Sequence, residues 1–166
     1  MREHIKLFEE QNEEIHEFMK NHGILKYEIT PEGVDVHQDV WLSNSGLLEL
    51  PFQFNIVHGY FNLRNSGLTS LRNAPRVVNK FFSCSNCNLK SLEFCPKFIG
   101  DEFFGYANQA PPWETRYLLF SEIHVGVDFE DLTLDRFFEK YQNKKALIPE
   151  ALKVLKAIQE QWDQNA

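Results

Sequence analysis

The chain has 166 residues, with 17 Lys and Arg against 24 Asp and Glu, a net charge of -7 and a pI near 5.4. No run of Lys or Arg tracks phosphates, so non-specific binding to nucleic acid or to an anionic membrane surface is excluded, since both depend on basic surface. The length suits one domain with a substantial core, and no segment approaches the roughly 20 apolar residues of a membrane span. Met1-Arg2-Glu3-His4 carries charge where a signal peptide needs an apolar stretch, which gives the expectation of a cytoplasmic protein.

Residues 1–22 read as an N-terminal helix. Ile5, Phe8, Ile15, Phe18 and Met19 recur at steps of three and four, Glu9, Glu10, Glu13, Glu14 and Glu17 supply a wet face, and Gly23 is the stop signal. Residues 23–39 read as a capping hairpin. Tyr27 to Thr30 and Val34 to Val36 alternate apolar with polar residues around Pro31-Glu32-Gly33.

Residues 40–109 then repeat themselves. Val40-Trp41-Leu42-Ser43-Asn44, Phe61-Asn62-Leu63-Arg64-Asn65 and Phe82-Ser83-Cys84-Ser85-Asn86 are three copies, and Phe104-Gly105-Tyr106-Ala107-Asn108 reads as a fourth. The asparagines at 44, 65, 86 and 108 give a period of about 21 to 22 residues, within the range of stacked supersecondary units. A unit this short cannot bury its own apolar face, so the copies must stack as a solenoid. The alternation predicts parallel strands with Val40 and Leu42, Phe61 and Leu63, Phe82 and Cys84, and Phe104 and Tyr106 facing inward. Leu47 and Leu50, Leu68 and Leu71, and Leu89 and Leu92 return to the interior after a tight turn. Pro51, Pro75 and Pro96 break the segment, and Val57, Val78 and Ile99 lead back to the next strand. Residues 110–166 form a C-terminal helical region, expected as a short helix over 113–120, an aromatic-rich helix carrying Leu132, Leu134, Phe137, Phe138 and Tyr141, and a last helix from Pro149 to Trp162.

Leu42-x-x-x-x-Leu47-x-x-Leu50-Pro51 and Leu63-x-x-x-x-Leu68-x-x-Leu71 resemble leucine-rich repeats. More narrowly, Leu68-Thr69-Ser70-Leu71-x-x-Ala74-Pro75 and Leu89-Lys90-Ser91-Leu92-Glu93-x-Cys95-Pro96 are similar to the degenerate repeats of small proteins encoded by large tailed bacteriophages. The expected fold is therefore α+β: a leucine-rich-repeat-like solenoid with a short parallel sheet, an N-terminal helix and hairpin cap, and a C-terminal helical cap. The resemblance implies a phage accessory protein in the host cytoplasm that binds and inhibits or modulates a host protein, such as a defence component.

No nucleotide-binding, nucleophile-elbow or zinc-protease motif is present, so no catalytic residue, metal ligand or cofactor is assigned. Cys84-x-x-Cys87 has zinc spacing without its remaining ligands, and the repeat places Cys84, Cys87 and Cys95 as core side chains instead. His37 and His58 hold equivalent places in successive copies, and two imidazoles alone make a weak metal site. The outward strand positions are more informative. Trp41, Tyr60, Phe81 and Phe103 line up as an aromatic patch with Arg64 beside it, the residue types that dominate binding hot spots. The patch is either a partner-binding surface or lies beneath a terminal helix, and the sequence leaves both open. The expected function is a non-catalytic protein-binding module, with sequestration of a small anionic or nucleotide-like ligand as the alternative. Leu152, Leu155 and Trp162 of the last helix offer a possible homodimer contact.

Overall fold

The computed structural model describes residues 2–166, with side chains from Leu7 onward except Phe8. The expected apolar positions Ile5 and Phe8 therefore lie outside the described side chains. Helix α1 (Arg2–Asn21) leads into an antiparallel hairpin of β1 (Tyr27–Thr30) and β2 (Gly33–Val36). The chain then coils, and each turn contributes one short strand to each of two parallel sheets.

The first sheet continues the hairpin with β4 (Phe54–Val57), β6 (Val77–Val78), β8 (Phe98–Ile99) and β10 (Glu122–Ile123). The second sheet stacks β3 (Val40–Trp41), β5 (Phe61–Asn62), β7 (Phe82–Ser83), β9 (Glu102–Phe104) and β11 (Gly126–Asp128). The molecule is thus an α+β solenoid flattened between two ladders. The stretch that returns Leu50, Leu71 and Leu92 to the core is extended or bent rather than helical.

Register decides which side chains face inward. Val40, Phe61, Phe82 and Phe103 are partners on adjacent strands, 21 residues apart at each step, and all are fully buried. Opposite them Val36, Val57, Val78, Ile99 and Ile123 form the matching ladder, also buried. The fourth copy therefore starts at Phe103, one residue earlier than its asparagine suggests. Phe103 and Gly105 face the core, while Phe104 and Tyr106 face outward. The solenoid also runs past residue 109, because β10 and β11 add a further turn after an insertion.

The corners explain the asparagines. Asn44, Asn65 and Asn86 adopt φ of 57°, 58° and 53°, a left-handed conformation that Asn tolerates better than most residues. Their amides form a ladder, Asn65 Nδ2 donating to Asn44 Oδ1 (3.2 Å) and Asn86 Nδ2 to Asn65 Oδ1 (2.6 Å). The fourth corner is held by Ala107 at φ 54°. Asn108 instead donates to the Cys84 carbonyl (2.9 Å) and accepts from the Leu89 N–H (3.2 Å), tying off the last regular turn.

Both ends are covered. Helix α1 closes the first with Met19 buried and Phe18 edge-on to Phe52 at 5.2 Å. At the other end lie a 3-10 helix (Pro112–Phe120), α2 (Leu132–Tyr141) and α3 (Ile148–Asn165), the last entered through a short 3-10 turn at Lys145–Leu147. Asp131 caps α2 by accepting from the N–H groups of Thr133 and Leu134. Phe103, Phe129 and Phe138 follow one another at 5.7 and 5.5 Å, so the aromatic core of the coil continues into the cap. Covering an end in this way buries strand edges and apolar side chains that a bare solenoid would leave in water.

Candidate functional site

The outer face of the second sheet carries a cluster of aromatic side chains of the repeat. Along one column run Asp39, Tyr60, Phe81 and Glu102; along the next run Trp41, Asn62, Ser83, Phe104 and Asp128. Tyr60 and Phe81 stack at 4.4 Å with 19° between their planes. Trp41 stands edge-on to both, at 5.8 and 6.1 Å, and Phe104 is edge-on to Phe81 at 5.8 Å. These offset and edge-to-face contacts are favoured by the ring quadrupoles, so the patch is organised before anything binds it. Trp41 remains 52% exposed, the others are half-buried in one another, and Ser83 is buried beneath them.

Two cations flank the rings. Lys80 Nζ lies 4.5 Å from the Tyr60 ring centre and 3.8 Å from Asp39 Oδ1, which also accepts the Tyr60 N–H at 3.0 Å. Arg64 places its guanidinium carbon 5.6 Å from the Tyr106 ring centre. The terminal helices are occupied elsewhere: α1 packs toward Phe52, α2 toward β11, and α3 against the 3-10 helix. None of these helices packs on the aromatic face through the described residues, and Trp41 stays exposed.

Of the residues expected there, Trp41, Tyr60, Phe81 and Arg64 come together on this face. Phe103 does not, because the 21-residue register turns it inward, where it is fully buried against Phe82. Phe104 and Tyr106 stand outward in its stead. Strict counting from Phe61 and Phe82 would have found them; aligning on Asn108 displaced the fourth copy by one.

The last helix is likewise corrected. Leu155 is fully buried and Leu152 packs on the core, so only Trp162, 49% exposed, remains of the expected dimer contact. Here α3 closes the solenoid, with Gln159 Oε1 accepting the Trp113 N–H at 2.9 Å.

Comparison with protein-family models, curated proteins and solved structures found no match.

His37 and His58 do stack, with ring centres 4.6 Å apart and 12° between planes, and Asn79 Nδ2 extends the column to His58 Nδ1 at 3.2 Å. Among the described residues no group of three or more His, Cys, Asp or Glu is placed to hold a metal ion. Cys84, Cys87 and Cys95 are free and buried, and burial pushes all three thiols up from their ordinary range, opposing the thiolate that metal or redox chemistry requires. Cys87 instead lies 3.2 Å from Ser66 Oγ at the equivalent place one turn earlier.

Beyond Phe81 and Phe104 the face becomes acidic. Glu102 is raised above the usual carboxylate range by burial and then by the charges of Asp128 and Asp101. Asp135 is raised by burial and by Asp128 and Asp131, despite accepting the Phe129 N–H. A cavity of about 540 Å³ adjoins this margin, lined among others by Glu102, His124, Asp135, Arg136 and Glu139.

The raised Glu102 has a stability consequence. The folded chain holds this proton more tightly than the unfolded one, so stability falls as pH rises from the ordinary value near 4.5 through the raised native value. Glu102→Gln is therefore expected to stabilise the fold at neutral pH, with the gain vanishing below about pH 4. Urea titrations of both proteins across this range check it; a difference that does not depend on pH counts against the raised native value of Glu102.

Proposed function

We propose that this protein is a non-catalytic binding module whose functional surface is the open aromatic face of the second sheet. The observation that carries this reading is Trp41, 52% exposed and edge-on to the stacked Tyr60 and Phe81, with the helices of its own chain docked elsewhere. A contiguous aromatic patch left in water carries a free-energy cost that a partner would remove. Rigid aromatics lose little side-chain entropy on association, which suits them to act as anchors. The occupant in this reading is a folded protein. The repeat's resemblance to short leucine-rich repeats of large tailed bacteriophages makes that partner a host protein, inhibited or modulated by the contact.

Affinity capture from host lysate with the native chain, Trp41→Ala and Tyr60→Ala tests the proposal. Each truncation of a central anchor is expected to weaken the complex by roughly 30-fold, as a hot-spot loss of about 2 kcal/mol would. Both variants should keep the native unfolding midpoint to within a few degrees. Unchanged recovery with both would remove the face from consideration. Calorimetry with nucleotides supplies the other arm, since tight stoichiometric binding without a protein partner would replace this reading with ligand sequestration.

A further inference from the structure

The aromatic face is not electrically uniform along the solenoid axis. Its columns begin with Asp39, paired with Lys80 at 3.8 Å, and Trp41, and end at Glu102 and Asp128, β11 adding to β9 with Gly126 beside Glu102 and Asp128 beside Phe104. Asp101, Glu130 and Asp131 lie in the same stretches of chain. Among the described residues the ion pairs are Lys80 with Asp39, Arg116 with Glu114, His124 with Glu122 and Lys140 with Glu150, so none includes Glu102 or Asp128, although Arg136 lines the adjoining cavity with Glu102. The cations on the face are engaged at its other parts, Lys80 over Tyr60 and Arg64 over Tyr106. Asp128, half-buried, accepts the Glu130 N–H with one oxygen at 2.8 Å. Burial, and after it the charges of Asp128 and Asp101, raise the affinity of Glu102 for its proton.

We infer that the occupant of this face is a basic, apolar-anchored segment of a partner protein, with apolar side chains over Trp41, Tyr60, Phe81 and Phe104 and Arg or Lys at Glu102 and Asp128. This rests on the aromatic face being the docking surface. Charge complementarity selects the class: an acidic or phosphorylated segment would add like charge to an already negative margin, and a neutral one would leave these carboxylates partly desolvated and unpaired. Arg suits the position better than Lys, because its planar fork can bridge two neighbouring carboxylates. Geometry adds a spacing. Trp41 and Asp128 are four strands apart, roughly 19 Å at the usual ladder spacing, and an extended chain covers that in about six residues.

The test is selection of a displayed library of random dodecapeptides on the full chain, with binders to Trp41→Ala removed. The expected survivors pair an aromatic or large aliphatic residue with Arg or Lys about five to seven positions away. A synthetic survivor, measured by fluorescence anisotropy, should bind the Glu102→Gln, Asp128→Asn double variant about 10-fold more weakly. It should also lose that difference at high salt, because screening removes the attraction that only the native carboxylates supply. Survivors that are neutral or acidic, or that bind native and double variant alike while depending on Trp41, overturn the charge assignment and leave the docking face standing. If the peptides enriched on the native chain are all lost in the Trp41→Ala depletion step and follow only the carboxylates, the docking face itself is overturned. A chain that dimerises through Trp41 in sedimentation, with no peptide enriched, overturns the basic segment in favour of a second copy.

Discussion

Phe82→Ala is expected to destabilise the protein by about 3–5 kcal/mol, the range for deleting a buried aromatic ring whose cavity cannot collapse. Phe82 is fully buried at the centre of the inner ladder, 6.0 Å from Phe61 and 5.8 Å from Phe103. Its removal leaves a void in the middle of the coil, where backbone hydrogen bonds between successive turns hold both neighbours in place. Phe61 N–H donates to the Phe81 carbonyl and Cys84 N–H to the Phe104 carbonyl, both at 3.0 Å, so the turns cannot close the gap without breaking them. The adjacent Phe81→Ala, on the outer face, loses a stacked neighbour but leaves its site open to water, and is expected to cost below about 2 kcal/mol. Guanidinium titrations of the two variants make the comparison. For a chain of this length the larger loss lowers the thermal midpoint by on the order of 10 °C. Equal effects, or the larger effect at Phe81, would mean that inner and outer sides of the second sheet have been exchanged, and the docking surface with them.

That exchange is the kind of error a short repeat invites. The stacking of the copies, the helix ahead of the hairpin and the helices behind were legible from apolar periodicity, because a unit of this length has no other way to bury Leu63, Leu68 and Leu71. The second ladder was less legible. Val77-Val78 and Phe98-Ile99 are strands of two residues, too short for alternation to register, and they exist because a neighbouring turn offers its backbone 21 residues away. The fourth copy was misplaced because the period of 21 to 22 residues puts Asn108 at a corner, while the corner itself is Ala107, a residue that sequence statistics do not associate with positive φ. The acidic end of the face was hidden for a further reason. Glu102 falls beside Phe81 only in the corrected register of the fourth copy, and Asp128 beside Phe104 only once β11 is known to rejoin the stack, after an insertion that hides its periodicity. The aromatic positions themselves needed no such knowledge, since Trp41, Tyr60 and Phe81 follow from the first three copies.

The same one-residue correction yields the second large effect. The inward position after each buried ladder residue holds Leu42, Leu63 and Cys84 in the first three turns, so consensus reasoning would place a leucine at Gly105. Gly105→Leu is nonetheless expected to destabilise the chain by about 3 kcal/mol, the upper part of the range for overpacking. A Cβ on Gly105 would come within 2.4 Å of Phe103 Cε1, 2.8 Å of its Cζ and 3.0 Å of Phe129 Cε1. Neither ring has space to retreat. Phe103 is held against Phe82 at 5.8 Å, and Phe129 is held between Phe103 and Phe138 at 5.7 and 5.5 Å. The side chains at this position shrink from Leu to Cys to Gly as the coil approaches its end, and the volume released is filled by Phe129 from the cap. A larger residue must therefore push Phe129 outward, and with it the junction between β11 and α2. Hydrogen exchange locates the damage: amides of residues 126–128 should lose protection well before those of the first three turns, since the ring partners of Phe129 are Phe103 and Phe138. Phe129→Ala in the Gly105→Leu background should recover part of the loss by vacating the contested space, although Phe129→Ala alone destabilises. If the two substitutions simply add, the rings do not compete for one volume, and the tapering of the coil toward its cap has another cause.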